Sequence, residues 1–219
     1  MSATLNGHQA TELRLTMPRT GAWWADVSIA DAVDLSGRVT LVLLDLTLTG
    51  TIFRSRKWAG STKARVVAGG AGWGKTVQAR GYQSAQGLQL APILSDAARE
   101  CGETMGTVAS ASVGLHYGRT RAAASQVFAL LRALPGYAKW WVDDAGVTQI
   151  GTRATGLIQT QTQVDSYDAA EGKLIISADA LTQIRPGRTL SDPVAGDHEV
   201  DAVIWSMGET KLRGEVWAA

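Results

Sequence analysis

The sequence predicts a β-rich α+β protein in which two strand-rich blocks flank a helical middle. Three observations carry this. Apolar and polar residues alternate with a period of two over most of the first and last thirds of the chain. Helical spacing is confined to two segments in between, and the order strands, helices, strands differs from the regular βαβ alternation of a parallel sheet. The expected division is 1–86 as a first strand block, 87–149 as a helical segment with a β-hairpin, and 150–219 as a second strand block.

The first block opens with ATELRLTM, where Leu13, Leu15 and Met17 take one face and Glu12, Arg14 and Thr16 the other. Pro18 to Gly21 interrupts it, and WWADVSIA alternates again through Trp24, Val27 and Ile29. GRVTLVLLDLTLTGTIF sets Val39, Leu41 and Leu43 against Val42, Leu44, Leu46 and Leu48, which predicts one long buried strand with a bend at Gly50. STKARVVAGG and KTVQARGY are expected to pair as a hairpin turned through Gly69 to Gly74.

In the middle, Leu90, Ile93, Leu94, Ala97, Ala98 and Cys101 recur at helical spacing, with Pro92 in the first turn and Gly102 as the stop. A second helix is predicted from Thr120, a candidate N-cap, to Leu134. Its stripe is Val127, Leu130, Leu131 and Leu134, backed by Ala123 and Ala124, and Pro135-Gly136 ends it. Three hairpins follow: YAKWWVDDAGVTQIGTR turning at Asp144-Ala145-Gly146, QVDSYDAAEGKLIISA at Glu171-Gly172, and HEVDAVIWSMGETKLRGEVWA at Gly208-Glu209.

The chain has 219 residues, 45% hydrophobic and 19% charged, so excess charge does not prevent it from forming a core. Twenty-one Lys and Arg against 20 Asp and Glu give a net charge of +1, which supplies no general attraction to nucleic acid or membrane. Glycine is frequent, at 24 residues, which suits many tight turns and also makes glycine motifs arise by accident. Cys101 is alone, which excludes an intramolecular disulfide and points to a reducing compartment. MSATLNGHQATELRL lacks a signal-peptide core, and no run approaches the roughly 20 apolar residues of a membrane span. A soluble protein made in the cytoplasm is expected.

Within ARVVAGGAGWGKTVQAR, Gly69, Gly74, Lys75 and Thr76 spell the Walker A pattern. Such a loop cradles phosphate with backbone N–H groups and must open a helix, whose dipole completes the site. Here only Val77 to Arg80 precede Gly81, and the segment alternates like a strand. The candidate Walker B strands are misplaced: LVLLD lies upstream, and LIISAD lies inside a hairpin. A glycine-rich turn with Trp73 at its tip is the better reading, and no cofactor is expected.

No other constellation converges. His8, His116 and His198 have no nucleophile nearby in sequence, and no Gly-x-Ser-x-Gly elbow exists. Asp197, His198, Glu199 and Asp201 could suggest a metal, but strand alternation sends Asp197 and Glu199 opposite to His198. Asp143 and Asp144 read as turn residues, and nothing marks Asp165 or Asp168 as an acid with a raised pKa. No catalytic or metal-binding residue is expected. FRSRKWAGSTKAR groups Arg54, Arg56, Lys57, Lys63 and Arg65 with Trp58, which suits a solvated loop or subunit contact, or single-stranded nucleic acid as an alternative. Of the adjacent pairs Trp23-Trp24 and Trp140-Trp141, one member each must face away from the local core, Trp205 and Trp217 lie near the C-terminus, and partner subunits are expected to cover at least some of these, with packing in a two-layer core as the alternative.

Long stretches of the chain resemble the hub proteins of phage tail baseplates, the late-control and type VI spike-hub family. The resemblance lies in LTGTIFRSRKWAGSTKARVVAGGAGWGKTVQARGYQSAQGLQLAPILSDAARECGET, in VFALLRALPGYAKWWVDDAGVTQIGTR, and in IRPGRTLSD followed by VIWSMGETKLRGEVW. It implies two small tube-like β-barrels per chain, blocks 1–86 and 150–219, with the helices between them. It further implies a homotrimer in the virion tail tip, assembled in the bacterial cytoplasm. The trimer would join the tail tube or distal tail protein to a central spike or fibre and meet the tape measure protein. No enzymatic activity, membrane or specific nucleic acid is expected; the first alternative is a nucleotide-binding protein working through Gly69 to Thr76, and the second a barrel that binds single-stranded nucleic acid through Arg54 to Arg65.

Overall fold

Alternation in the first block closes a barrel. The computed structural model describes residues 2–134, 136, 139–193, 196–208 and 211–218. Its first six strands are β1 (Ala3–Leu5), β2 (His8–Pro18), β3 (Trp24–Ile29), β4 (Arg38–Leu43), β5 (Leu46–Trp58) and β6 (Ser61–Ala68). They pair antiparallel in the order β1-β4-β5-β6-β3-β2, and β1 meets the start of β2 through Thr4–Gln9 and Leu5–His8, so the ring is closed. Closure removes the exposed edges that an open sheet would leave.

Leu13, Leu15 and Met17 are buried as their alternation predicts, and so are Ala25, Val27 and Ile29. Trp24, expected on the face of Val27 and Ile29, lies opposite them because period two separates it from both: Trp23 is buried and Trp24 is 38% exposed. The double-faced segment is a hairpin and not one strand. Leu44, at φ 53, and Asp45 reverse the chain, so Leu43 pairs with Leu46 and Leu41 with Leu48. Reversal brings Val39, Leu41, Leu43, Leu46 and Leu48 into one buried set. β5 runs on through Gly50, where a Cβ would stand 2.8 Å from the Trp23 ring, so this glycine makes room for an indole.

β6 does not turn back on the segment after it. Both of its sides are taken, by β3 and β5, so KTVQARGY finds other partners. β7 (Thr76–Val77) pairs with β10 (Ala122–Ala123), and β8 (Arg80–Gln83) with β9 (His116–Arg119). The hairpin expected through Gly69 to Gly74 is therefore absent. α1 (Leu90–Cys101) forms as its spacing predicts, with Leu90, Ile93, Leu94, Ala97, Ala98 and Cys101 buried and Gly102 closing it at φ 82. The second helix starts later and is wound more tightly, a 3-10 helix over Ala124–Ala133, because Ala122 and Ala123 are drawn into the ladder with β7. Thr120 is not its cap, and Pro135, expected to end it, lies outside the described residues.

All three predicted hairpins of the last part form. β11 (Lys139–Val142) pairs with β12 (Thr148–Gly151), β13 (Thr162–Asp168) with β14 (Lys173–Ala178), and β16 (Gly196–Met207) with β17 (Leu212–Ala218). Glu209 of the last turn lies outside the described residues. β17 also pairs with β14, giving the order β16-β17-β14-β13, and β15 (Thr189–Asp192) pairs with the start of β16. The second half of β16 then lies along β2, Ala202–Met207 against Pro18–Leu13. β2 thus closes the barrel with its first residues and carries the second group of strands on its last ones. Trp205 and Val203 from that ladder join the same buried cluster as the barrel leucines.

Candidate functional site

Glycines that spell a phosphate motif here make room for a helix end. The loop after β6 lies against the C-terminus of α1 so closely that a Cβ at Gly70 would stand 2.3 Å from the Gly102 carbonyl oxygen, and one at Gly72 2.2 Å from that of Cys101. Only glycine fits there. The backbone N–H groups of Gly70 and Gly72 donate to the Glu103 carboxylate at 2.8 and 2.5 Å, and Glu103 is 8% exposed. The anion in this cradle is the chain's own side chain.

The other motif residues are also engaged. Lys75 Nζ donates to the Cys101 carbonyl oxygen at 3.2 Å, a cation at the helix end that favours one. Thr76 begins β7 and not a helix, and the Gly69 carbonyl accepts a hydrogen bond from Thr51. Trp73 is not at an exposed tip. It is 4% exposed, lies against Phe128 and Trp140 at ring distances of 4.7 and 5.8 Å, and donates Nε1–H to Thr148 Oγ1. Carbonyls of Trp73 and Lys75 receive the N–H groups of Ser125 and Ala124, which start the 3-10 helix. The motif therefore joins β6, the end of α1 and the start of the second helix. A phosphate would meet the negative end of a helix dipole, opposite to what binding requires.

Beside it, burial pushes the Cys101 thiol up to about 11, with the Glu103 charge adding to the effect. Asp96, on α1, accepts from Arg80 at 2.6 Å, Arg99 at 2.7 Å and the Tyr82 hydroxyl at 2.6 Å. Burial opposes ionisation of Asp96, but these donors outweigh it and hold the carboxyl below its usual range. Tyr82 is pushed up to about 12 by the same burial and by its bond to Asp96. This cluster clamps the β8–β9 strand pair, whose connection contains α1, to that helix.

The basic stretch lies on the outer half of the β5–β6 hairpin. Arg65 forks onto Asp26 at 2.8 and 2.6 Å, Lys57 pairs with Asp34 at 2.6 Å, and Arg56 stands over the Trp58 ring. Phe53 and Trp58 are 62% and 68% exposed. An open groove on the same hairpin, about 920 Å³, carries Glu12 and Asp26 among Arg14, Arg54, Arg56, Lys63 and Arg65, so cations outnumber anions along it.

A second groove, of about 470 Å³, runs between the end of β2 and the β11–β12 turn, lined by Trp141, Asp143, Asp144, Arg153, Arg185 and Arg188 among others. Asp143 shapes the turn as expected, its carboxylate accepting from Val147 N–H and from Gln149. Asp144 does more than the turn requires, pairing with Arg185 at 2.6 Å. Desolvation raises its pKa, and the neighbouring Asp143 adds to the rise, while Arg185 works the other way.

The remaining candidates do not converge. Asp165 accepts from Ser177, Asp168 caps its own turn at Ala170 and Glu171, and Glu199 pairs with Arg19. His198 lies 4.9 Å from the Tyr167 ring. Among the described residues, no group of three or more His, Cys, Asp or Glu side chains is placed to hold a metal, and no helix is long and apolar enough to cross a membrane. Glu103, Asp96 and Arg153 carry the local chemistry, yet no motif in the sequence marks them. Each is defined by partners distant along the chain.

No protein-family model and no curated protein matches this chain. Solved structures do. The E. coli c3393 protein, a type VI secretion component with structural similarity to the T4 bacteriophage tail proteins gp27 and gp5, superposes with a TM-score of 0.67 at 12% identity, covering 100% of this chain and 77% of that one. The 43 kDa tail protein of prophage MuSo2 from Shewanella oneidensis gives 0.67 at 7% identity, covering 100% and 97%. A tail protein from Neisseria meningitidis MC58 gives 0.64 at 12% identity, covering 98% and 94%. The fold of this chain is that of these tail proteins.

Proposed function

We propose that this chain is a structural subunit of a phage tail, the baseplate hub that joins the tail tube to a central spike or fibre. The observation that carries the reading is the likeness over the whole chain to tail proteins and to a type VI component, not to one barrel alone. In this role the chain is a homotrimer in the virion tail tip, assembled in the host cytoplasm and touching the tape measure protein. It has no catalytic task.

The exposed residues support a role in assembly. Trp24, Phe53 and Trp58 are aromatic side chains left in solvent by the isolated chain, the last two on one projecting hairpin. Aromatic and arginine side chains are favoured where protein surfaces meet. Light scattering at micromolar concentration is expected to give the mass of a trimer. Mixing with tail-tube and spike subunits of the same phage is expected to give stable complexes. A strict monomer that binds neither subunit would overturn the assignment.

A further inference from the structure

Arg153 is a half-buried cation with no carboxylate of its own. Its Nη2 donates to the Pro18 carbonyl at 3.1 Å, and its guanidinium stands 5.1 Å over the Trp141 ring. Its Nε is buried without an acceptor among the described residues. Arg185 beside it is already committed, to Asp144 at 2.6 Å, to the Thr182 carbonyl and to Met17 sulfur. Arg188 is held by Gln183 at 2.6 Å. Desolvation, and then repulsion from Arg185, push the Arg153 pKa down to about 10, and the charge of Asp144, already paired with Arg185, offsets only part of the drop. An unpaired charge withdrawn from water is costly, and one carbonyl with one ring replaces little of its hydration.

We propose that the groove over Arg153 is a docking site for an acidic segment of a partner protein, which seats one carboxylate on the Arg153 guanidinium. The groove has the chemistry for this. Met17, Pro18, Trp141 and Pro186 provide apolar walls for the stem of an acidic side chain, and Arg153 lies among them with Nη1, unlike the buried Nε and the committed Nη2, left to donate. The planar fork of arginine matches a carboxylate in shape. Asp143 and Asp144 on the same rim repel a ligand with many charges, which favours a carboxylate over a polyphosphate or a nucleic-acid backbone. The site belongs to the isolated chain and does not depend on the tail assignment.

The test uses the full chain labelled with nitrogen-15. It is titrated with acetyl-Gly-Glu-Glu-Gly-amide, with the Gln-Gln analogue and with inorganic phosphate, while the Trp141 indole and Arg153 Nε–H signals are followed. The acidic peptide is expected to shift both signals saturably, and the Gln analogue to leave them in place. Arg153→Gln is expected to weaken the peptide effect on Trp141 about tenfold or more, the loss of one charge-assisted bond. Arg153→Met is expected to raise the Tm of the free chain, because it removes an uncompensated charge. Equal shifts from the Gln analogue, a response to phosphate alone, or no response to the acidic peptide would each overturn the proposal. So would a Tm lowered by Arg153→Met together with unchanged peptide binding, which would make Arg153 a bracket for Pro18.

Discussion

Glu103 occupies the place that a phosphate would take in a loop with these letters, and this decides how single residues behave. Replacing Gly72 with Ala forces a Cβ against the Cys101 carbonyl. The expected cost is roughly 2–4 kcal/mol, read as a lower urea midpoint. Glu103→Ala leaves two shielded N–H donors without their acceptor and is expected to cost about 1–3 kcal/mol. Calorimetry with ATP or GTP and magnesium is expected to show no binding, in the native chain and in Lys75→Ala alike. Asp96 sets a pH dependence. Its folded pKa lies below the ordinary value of 3.8, so its contribution is fully present above that value and is lost as pH falls through the folded pKa. Acid unfolding below about pH 4 is expected to be shallower in Asp96→Asn than in the native chain. At this scale the sequence misleads: Gly-x-x-x-x-Gly-Lys-Thr is spelled out in full, while the residue that gives the loop its role lies 33 positions from Gly70.

Elements were legible where their own pattern fixes them and illegible where a partner does. α1 announces itself through spacing and the Gly102 stop, and each of the last three hairpins through its turn. The Leu44-Asp45 turn has no glycine or asparagine, so two strands read as one. The 3-10 helix loses its first predicted residues to a strand partner that local spacing does not reveal. The Leu44-Asp45 turn also predicts its own energetics. Leu44 holds a left-handed φ of 53 with 38% exposure, so Leu44→Gly is expected to stabilise by up to about 1 kcal/mol. Asp45 accepts from the backbone of Leu181 and Thr182 and from the Thr182 hydroxyl, tying the barrel turn to a short 3-10 turn, Leu181–Gln183, of the second block. Burial of Asp45 opposes ionisation, and those bonds outweigh it and lower its pKa. Asp45→Ala is expected to cost about 1–2 kcal/mol by chemical denaturation.

Across the whole molecule, the two-block order of strands is visible in the sequence, but the way the blocks join is not. Periodicity assigns faces to strands, whereas neighbours in a sheet are chosen by long-range packing. Hydrogen exchange read by mass spectrometry is expected to be slowest in β2, β3 and β6, which have partners on both sides within the core, and fastest along β13 at the open edge.

The shared strand has a further consequence, in the order of manufacture. Arg19, just past β2, and Glu199, within β16, are joined by a salt bridge that spans 180 residues of chain. The ribosome therefore releases β2 long before its partner exists. β1 and β3 to β6 can enclose the new barrel soon after they emerge, but Leu13 to Pro18 must wait with one flank bare, presenting the kind of strand edge on which nascent chains aggregate. Loop closure over that distance comes late, so the yield of soluble protein depends on how well this flank is shielded during synthesis.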